Sequence, residues 1–295
     1  MRRLKRKFYR EDKLKEYQRN LHFFLKNSLT VLGLAIVVSL IFIAIFAPQI
    51  APYPDQGRGD SNIKSRLASP GYEYFFGTDD LGRDIFSRVI FGARVSLKAA
   101  IIVILIVVII GTPLGIIAGY LGGKIDEVIM RISDMVLAFP SLLLAIAIVA
   151  ALGPSVTNAM IALSVPWWPW YTRLARGQAI SLRERQFVEA AKAIGVSNLR
   201  IMIRHILPNC LTPIIVQATL DMGYIILSLA GLGFLGLGTQ PPTADWGVMI
   251  SNGRTFILDQ WWYSTFPGLA IFITVLGFNL LGDGIAEALN PKRRK

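Results

Sequence analysis

Residues 97–121 read LKAAIIVILIVVIIGTPLGIIAGYL, an apolar run in which Lys98 is the only charged residue. A helix needs about 20 apolar residues to cross the hydrocarbon core of a bilayer, and this run supplies them. The core of a soluble domain does not require an unbroken apolar segment of this length. We therefore predict that residues 97–121 form a transmembrane helix.

Five further apolar segments lie on either side of this run. Together they predict an all-α, polytopic membrane protein with six transmembrane helices. The composition supports this prediction, because only 17% of the residues are charged, whereas soluble domains contain about 25%. The other predicted spans are residues 28–47, 135–152, 156–171, 211–237 and 266–285.

The formal net charge of +12 is concentrated at the edges of the apolar runs. Basic residues collect in an arm at residues 1–27, in the connection 173–209 and in the tail 292–295. The positive-inside rule assigns all three to the cytoplasm, so both termini are predicted to be cytoplasmic. This distribution argues against nucleic acid as a partner and makes membrane lipid the expected surroundings.

The external segment 48–96 begins with a Pro- and Gly-rich loop, after which an amphipathic helix is predicted. Asp79 or Asp80 can cap this helix, whose apolar residues recur from Leu81 to Ile90. The helix can lie on the outer membrane surface or pack against the bundle, and the sequence leaves both possibilities open. The core transmembrane domain is then residues 97–291.

The chain contains few residues that could carry out chemistry. Cys210 is its single cysteine, which excludes an internal disulfide, and one cysteine with two widely separated histidines, His22 and His205, gives no reason to expect a metal cluster. No Gly-rich phosphate loop of the Walker type occurs. We therefore expect a chain that is not an enzyme and has no catalytic residue and no cofactor of its own.

The connection 173–209 is the longest predicted cytoplasmic segment, and its pattern predicts two short helices. The first helix runs through Ile194, and Gly195 suits the left-handed C′ position after it. Ser197 can cap the second helix, residues 198–206, and Pro208 is expected to end it. Such a helix pair can dock a cytoplasmic partner. The small and apolar residues that it offers are Phe187, Val188, Ala190, Ala191, Ile194 and Met202.

Motifs along almost the whole chain resemble those of the permease subunits of bacterial and archaeal ABC importers. Glu189-Ala-Ala-Lys-Ala-Ile-Gly195, followed by Leu207-Pro208, is similar to the EAA loop of that family, and His205 looks like its dipeptide, oligopeptide and nickel branch. The short arm before the first span resembles the second, C-type permease subunit. Further matching motifs are FGTDDLGRDIFSR at residues 76–88, GFLGLGTQPP at 233–242, DWG at 245–247 and NLLGDG at 279–284.

The resemblance implies the type I ABC importer permease fold and transport that is driven by ATP. Such a subunit pairs with a homologous permease in the bacterial or archaeal cytoplasmic membrane. It rests on two ATPase subunits, which bind ATP and Mg, and receives substrate from an extracytoplasmic solute-binding protein. Carried over residue by residue, the ATPase-coupling positions are Glu189, Ala190, Ala191, Gly195, His205, Leu207 and Pro208.

Short peptides are the substrate that this resemblance favours. Oligosaccharide, nickel or glutathione remain open as substrates of the same architecture. An ATP-independent secondary transporter remains open as a different class of protein. The sequence contains no paired intramembrane charges and no two matching broken helices, which secondary transporters often show.

Within the predicted span 211–237, Asp221 is the only charged residue. Because a charge inside the membrane is energetically costly, it is a functional candidate; it can line the translocation path or lie near the inner surface. Many relatives carry an acidic residue shortly before the Phe-Leu-Gly motif, whereas residues 225–230 contain none. We take Asp221, Tyr224 and Ser228 as candidate path residues. Close helix packing or a hinge is predicted for Gly231, Gly233, Gly236 and Gly238.

Overall fold

The computed structural model describes residues 27–289, and within this range the chain is helical apart from its connections, with no β-strand. The all-α prediction is therefore confirmed for these residues. Residues 1–26 and 290–295, which hold most of the basic arm and the whole basic tail, lie outside the described range. The α-helices are α1 (Ser28–Ile45), α2 (Ala47–Ile50), α3 (Pro54–Arg58), α4 (Ile85–Leu121), α5 (Gly123–Leu137), α6 (Ser141–Leu152), α7 (Val156–Arg183), α8 (Gln186–Ala193), α9 (Asn198–Ile201), α10 (Leu207–Phe234), α11 (Trp246–Gly253) and α12 (Trp262–Leu289).

Four helical segments in residues 27–289 are long and apolar enough to cross a bilayer: α1, α4, the stretch Asn198–Phe234 that ends with α10, and α12. Helices α5 and α6 meet at an angle of 82° and make a fifth crossing if they act as one broken span. The predicted fourth span lies in α7, which has 28 residues and contains Pro166 and Pro169. All six predicted spans are thus helical, and up to five have the length and composition of a membrane crossing.

Helix α4 packs along α7 through glycines spaced four residues apart. Gly111, Gly115 and Gly119 face the backbone of α7, and a Cβ atom on Gly115 would lie 2.2 Å from the carbonyl oxygen of Thr172. Only glycine permits this approach, which is how membrane helices gain packing energy without a hydrophobic driving force. The 37 residues of α4 make it about 55 Å long, so it extends beyond a hydrocarbon core of about 30 Å.

Helix α12 lies against both α1 and α10, again with small residues at the contacts. A Cβ atom on Gly277 would lie 2.5 Å from Ile36 of α1, and one on Gly282 would lie 2.5 Å from Leu220 of α10. These contacts join the first predicted span to the last one. The bundle therefore includes α1 as a packed member.

The four glycines near the end of α10 differ in what surrounds them. Gly233 and Gly238 are closely packed, because a Cβ atom would lie 2.6 Å from the Asp245 carboxylate at the first and 2.8 Å from Gly233 at the second. Gly236 has a positive φ of 78°, and a Cβ atom on Gly231 would meet nothing within 4 Å. The packing prediction therefore holds for two of the four positions.

The predicted break between residues 48–96 and residues 97–121 is wrong, because Ile85–Leu121 is one continuous helix. Its N-cap is Asp84, whose carboxylate accepts the Ser87 N–H at 2.8 Å, and not Asp79 or Asp80. The sequence between the amphipathic part and the apolar part contains no turn signal. The two parts therefore share one helix axis.

Residues 122–134, which separate the predicted spans 97–121 and 135–152, belong mainly to helix α5. The chain then turns, and α6 begins at Ser141, so Pro140 precedes a helix instead of lying inside a span. The predicted third span 135–152 therefore consists of the end of α5 and the 12 residues of α6.

The connection 173–209 is shorter than predicted, because α7 continues to Arg183 and α10 begins at Leu207. Between them lie α8, α9 and one turn of π-helix, Met202–Ile206. The prediction that Pro208 ends the second helix is wrong: it lies in the first turn of α10. Proline is tolerated there because its N–H is not needed in the first turn. The chain thus passes from α9 into α10 without a break.

Candidate coupling site

Residues 184–206, here called the helix pair, join α7 to α10 and turn at Gly195. This residue has a positive φ of 79°, which confirms its predicted C′ position after α8. The Gly195 N–H donates to the Lys192 carbonyl at 2.9 Å, and the Val196 N–H donates to the Ala191 carbonyl at 3.0 Å. These two bonds form a Schellman motif. Ser197 stands at the N-cap of α9, but its side chain makes no capping bond.

One side of the helix pair is buried against the bundle. Val188 of α8 and Ile201 and Ile206 of the following segment are fully buried. They belong to one apolar cluster with Tyr120 of α4 and Ala179 of α7. The helix pair is therefore attached to the two helices that are in closest contact with each other.

Polar contacts reinforce this attachment at the last turn of α4. The Tyr120 hydroxyl donates to Asn198 Oδ1 at 3.0 Å, and Lys192 Nζ lies 5.2 Å from the centre of the Tyr120 ring. Tyr120 thus contacts both short helices. Its position fixes α8 and α9 relative to α4.

The opposite side of the helix pair leaves apolar side chains exposed. Ile194 is 81% exposed and Leu199 is 64% exposed, and Phe187 and Ile203 are also more than one-third exposed. A cluster of exposed apolar side chains marks a surface that binds another protein or the membrane. Leu199 and Ile203 are not among the partner-binding residues predicted from the sequence, although their spacing of four residues places them on one helix face.

The residues predicted to couple to an ATPase divide between the two sides. Glu189, Ala190, Gly195 and Pro208 are exposed, and Leu207 is half-buried. His205 is half-buried, with its ring centre 6.2 Å from that of Phe187. Ala191 is 6% exposed within the apolar cluster. Its small side chain therefore lets α8 approach the rest of this chain, which corrects the expectation that Ala191 offers itself to a partner.

Asp221 of α10 is buried and bonded within the chain. The Tyr171 hydroxyl of α7 donates to Asp221 Oδ2 at 2.8 Å, and Gln217 Nε2 donates to Oδ1 at 2.9 Å. Both carboxylate oxygens therefore have donors, as a buried charge requires. In this arrangement Asp221 ties α10 to α7.

The two other candidate path residues have different environments. Ser228 is buried, whereas Tyr224 is 46% exposed. The Tyr224 ring lies 4.9 Å from that of Trp167 on α7. Tyr224 is therefore the member of the predicted trio that presents a side chain outwards. Within residues 27–289, no group of three His, Cys, Asp or Glu side chains could hold a metal ion.

At the opposite end of α4, the segments 46–84 and 235–261 form what we call the cap. The buried Asp79 carboxylate accepts from Arg83 Nε at 2.6 Å and lies 3.6 Å from Arg88 Nε. Arg88 also donates to the Pro242 carbonyl at 3.3 Å. Asp79, which the sequence suggested as a helix cap, is instead the centre of a charge cluster that joins both cap segments to α4.

Aromatic residues add to these connections in the cap. The Tyr263 hydroxyl of α12 donates to Asp80 Oδ1 at 2.6 Å. Trp246, at the start of α11, donates to the Val89 carbonyl at 2.9 Å and lies where a Cβ atom on Gly92 would be 2.7 Å from its indole ring. Only glycine at position 92 leaves room for the Trp246 ring. The cap, which includes α11, is thus joined to α4 and α12.

These features define a class of protein: a helical membrane bundle with an exposed apolar helix pair at one end and a tightly bonded cap at the other. Solved inward-facing structures of the MetNI methionine ABC transporter contain the same fold. One of them matches with a TM-score of 0.55 at 18% identity, covering 69% of this chain and 96% of that chain. The type I importer permease fold is therefore confirmed.

The family follows from the sequence matches. Residues 111–295 match the binding-protein-dependent transport system inner membrane component family, and residues 17–70 match the N-terminal TM domain of oligopeptide transport permease C. The chain belongs to the binding-protein-dependent transport system inner membrane component family. The resemblance noted in the motifs is thus confirmed.

Curated relatives cover most of the chain. The dipeptide transport system permease protein of Alkalihalophilus pseudofirmus is 52% identical over 91% of this chain and 88% of its own length. A probable D,D-dipeptide transport system permease protein of Escherichia coli is 49% identical over 91% and 89%. The glutathione transport system permease protein of Escherichia coli is 45% identical over 91% and 88%.

Proposed function

We propose that this chain is one of two transmembrane permease subunits of an ATP-driven importer of short peptides. The observation that carries the coupling part of the proposal is the helix pair, which is anchored on one side by Val188 and exposes Ile194 and Leu199 on the other. The exposed apolar side of the helix pair, held by the turn at Gly195, suits a cleft in a cytoplasmic ATPase. The peptide part rests on the names of the relatives given above.

In this proposal the chain is not an enzyme, and ATP and Mg bind to the two partner ATPases. A homologous permease completes the translocation path, to which Tyr224 contributes its exposed ring. A solute-binding protein docks on the cap, where Ile257, Leu258 and Trp261 leave apolar surface exposed. Glutathione, itself a small peptide, is the second candidate substrate, because one relative at 45% identity is a glutathione permease.

The coupling role is tested by Gly195→Asp, measured as peptide uptake and ATP hydrolysis by the complex in proteoliposomes. An aspartate at φ 79° is strained and adds a charge beside Ile194, so uptake should be lost while ATPase activity is uncoupled or the ATPases dissociate. Gly177→Asp is the matched control, since a Cβ atom there also meets open space but the residue is an ordinary helical glycine in α7. Full uptake by the Gly195 variant would refute the proposal.

A second experiment separates an ATP-driven importer from a secondary transporter. Purification of the chain from its native membrane should bring two ATPase subunits with it, and uptake should stop without ATP. Glu189→Gln is a milder probe, because Glu189 is exposed on the helix pair. Uptake that continues without ATPases would favour the secondary transporter.

The proposed orientation places the helix pair in the cytoplasm, the cap outside, and both termini in the cytoplasm. Cys210 is buried and is the single cysteine of the chain. A Cys210→Ala chain therefore has no cysteine of its own, and single reporter cysteines can be introduced into it. Ile194→Cys and Leu258→Cys are matched reporters, with parent residues 81% and 94% exposed at the two ends. A membrane-impermeant maleimide added to intact cells should label position 258 and spare position 194; the reverse pattern would invert the topology.

A further inference from the structure

A cavity of about 450 Å³ opens beside the cap, between α4, the start of α7 and the loop after α10. This volume lies within the range of about 300–1,000 Å³ that small-molecule sites occupy. Its apolar wall includes Val95 and Ile102 of α4 and Met160 of α7. The cavity is separate from the helix pair and from the Asp221 cluster.

One cation lines this cavity. Lys98 is exposed to it on α4, and no ion pair of residues 27–289 includes Lys98. The nearby apolar wall lowers the local dielectric, which strengthens the attraction of an ammonium group for an anion. The cavity therefore favours a ligand with a negative charge.

The remaining polar groups supply both donors and acceptors. Ser155 Oγ accepts the Asn158 N–H at 3.0 Å, so its own proton is free to donate. Thr239 donates to Asp245 at 3.1 Å, which leaves the lone pairs of the Thr239 oxygen to accept. Gln240 uses its Nε2 group on the backbone carbonyls of Gly236 and Gly238 in the loop after α10, so its Oε1 atom can also accept.

Asp245 holds the Thr239 hydroxyl in position. It is 7% exposed, caps α11 through the Val248 N–H at 3.1 Å, and accepts from Thr239 with its other oxygen. Burial raises the pKa of Asp245, whereas its bonds from Val248 and Thr239 act in the opposite direction. Asp245 is thus a positioning residue for Thr239 and does not reach the ligand itself.

We propose that this cavity binds the terminal carboxylate and the adjacent peptide amide of a short peptide as it enters the permease. Lys98 binds the carboxylate, and Thr239 and Gln240 accept the amide N–H. The hydroxyls of Ser155, Thr157 and Thr243 are further donors to the carboxylate, and the wall of Val95 and Met160 accommodates an apolar side chain. This inference deepens the proposed function and rests on it.

The first test compares uptake of Ala-Ala with that of alanyl-alaninamide, which lacks the carboxylate, by the reconstituted complex with saturating solute-binding protein. Lys98→Gln should lower Ala-Ala uptake about fivefold, the size expected for one partly solvated ion pair, and leave uptake of the amide unchanged. Lys98→Arg should restore Ala-Ala uptake. All variants share the same binding protein, so its own preference cancels in the ratio of the two substrates.

Arg94→Gln is the matched control, because Arg94 is an exposed cation one turn earlier on α4 but does not line the cavity. It should leave the ratio unchanged. An equal loss for both substrates in Lys98→Gln, or no loss, would overturn the inference. An effect of Lys98→Gln that is equal for both peptides and occurs only in vesicles containing phosphatidylglycerol would assign the cavity to lipid headgroups and also overturn it.

The second test does not depend on transport. In a Cys210→Ala complex, Thr243→Cys should react with a negatively charged methanethiosulfonate several-fold more slowly when Ala-Ala is present, and alanyl-alaninamide should protect less. Lys98→Gln should abolish the difference between the two peptides. Protection without any uptake by the parent complex would refute the proposed function and leave this inference standing, whereas equal reactivity in all conditions would refute the inference.

Discussion

The two ends of this bundle differ in where their charged residues lie. In the cap, the Asp79 carboxylate and the Arg83 and Arg88 guanidinium groups are buried together. In the helix pair, the Glu189 side chain is exposed and Ile194 remains 81% exposed. The buried charges hold the cap together through contacts within the chain, whereas exposed apolar side chains, at Ile194 of the helix pair and also at Leu258 of the cap, are available to a partner.

The difference also concerns how each end is attached to the bundle. The cap is joined by hydrogen bonds between residues far apart in the chain, such as Tyr263 to Asp80 and Trp246 to Val89. The helix pair is joined by an apolar cluster around Val188 and by Tyr120. Substitutions in the cap should therefore affect folding, and those on the exposed side of the helix pair should affect coupling.

The largest effect is expected for Asp79→Asn. The change removes the carboxylate that pairs with two buried guanidinium groups, which costs about 3–5 kcal/mol of folding free energy. Thermal unfolding of the purified chain in detergent measures it. Asp55→Asn is the control, because the Asp55–Arg58 pair belongs to the same cap but its side chains are 74% and 59% exposed. Equal losses for the two variants would show that buried charge does not hold the cap.

Gly115→Ala tests the contact that connects the two ends, where α4 lies against α7. A methyl group 2.2 Å from the Thr172 carbonyl forces the two helices apart, and overpacking of this kind costs about 3 kcal/mol. Thermal unfolding again measures the change. Gly177→Ala should be neutral or slightly stabilising, because its Cβ would meet nothing within 4 Å and alanine favours a helix. A neutral Gly115→Ala would mean that the helices are not in contact there.

Within the helix pair, Val188→Ala and Ile194→Ala should separate stability from coupling. Val188 is fully buried, so its truncation leaves a cavity and should lower the unfolding free energy by about 2 kcal/mol. Ile194 is exposed, so its truncation should change stability by less than about 0.5 kcal/mol and yet weaken binding of the ATPases. Titration of the ATPase onto each variant reports the coupling. Normal ATPase binding by Ile194→Ala would argue against a docking role for this side.

The smallest effect is expected between the two ends, at Tyr224→Phe, for which Tyr171→Phe is the comparison. In Tyr171→Phe the affected contact is a buried one. The change removes one of the two hydrogen bonds to the buried Asp221 carboxylate and should lower stability by about 1.5–3 kcal/mol, the range for a bond to a charged group. Tyr224→Phe should leave stability unchanged, because Tyr224 is 46% exposed. Unfolding and uptake should be measured on both variants. A loss of uptake in Tyr224→Phe without a loss of stability would support its place on the translocation path.

Some features of this protein followed from the sequence alone. The apolar runs predicted the helices, and the spacing between Glu189 and Gly195 with Leu207-Pro208 predicted both the family and the turn at Gly195. The helices and the turn depend on interactions between residues that are close in the sequence. An apolar run of sufficient length partitions into the bilayer, and a glycine after a helix takes the left-handed conformation at little cost. Neighbouring residues are enough to decide them.

Other features were decided by the tertiary structure. The sequence could not show that Asp79 binds Arg88, that Ala191 faces inwards while Ile194 faces outwards, or that Tyr171 satisfies Asp221. Nor could it show that α4 continues through the predicted boundary at residues 96 and 97. Each of these depends on which remote segment lies opposite the residue, because burial and hydrogen-bond partners belong to a pair of elements and not to either sequence by itself.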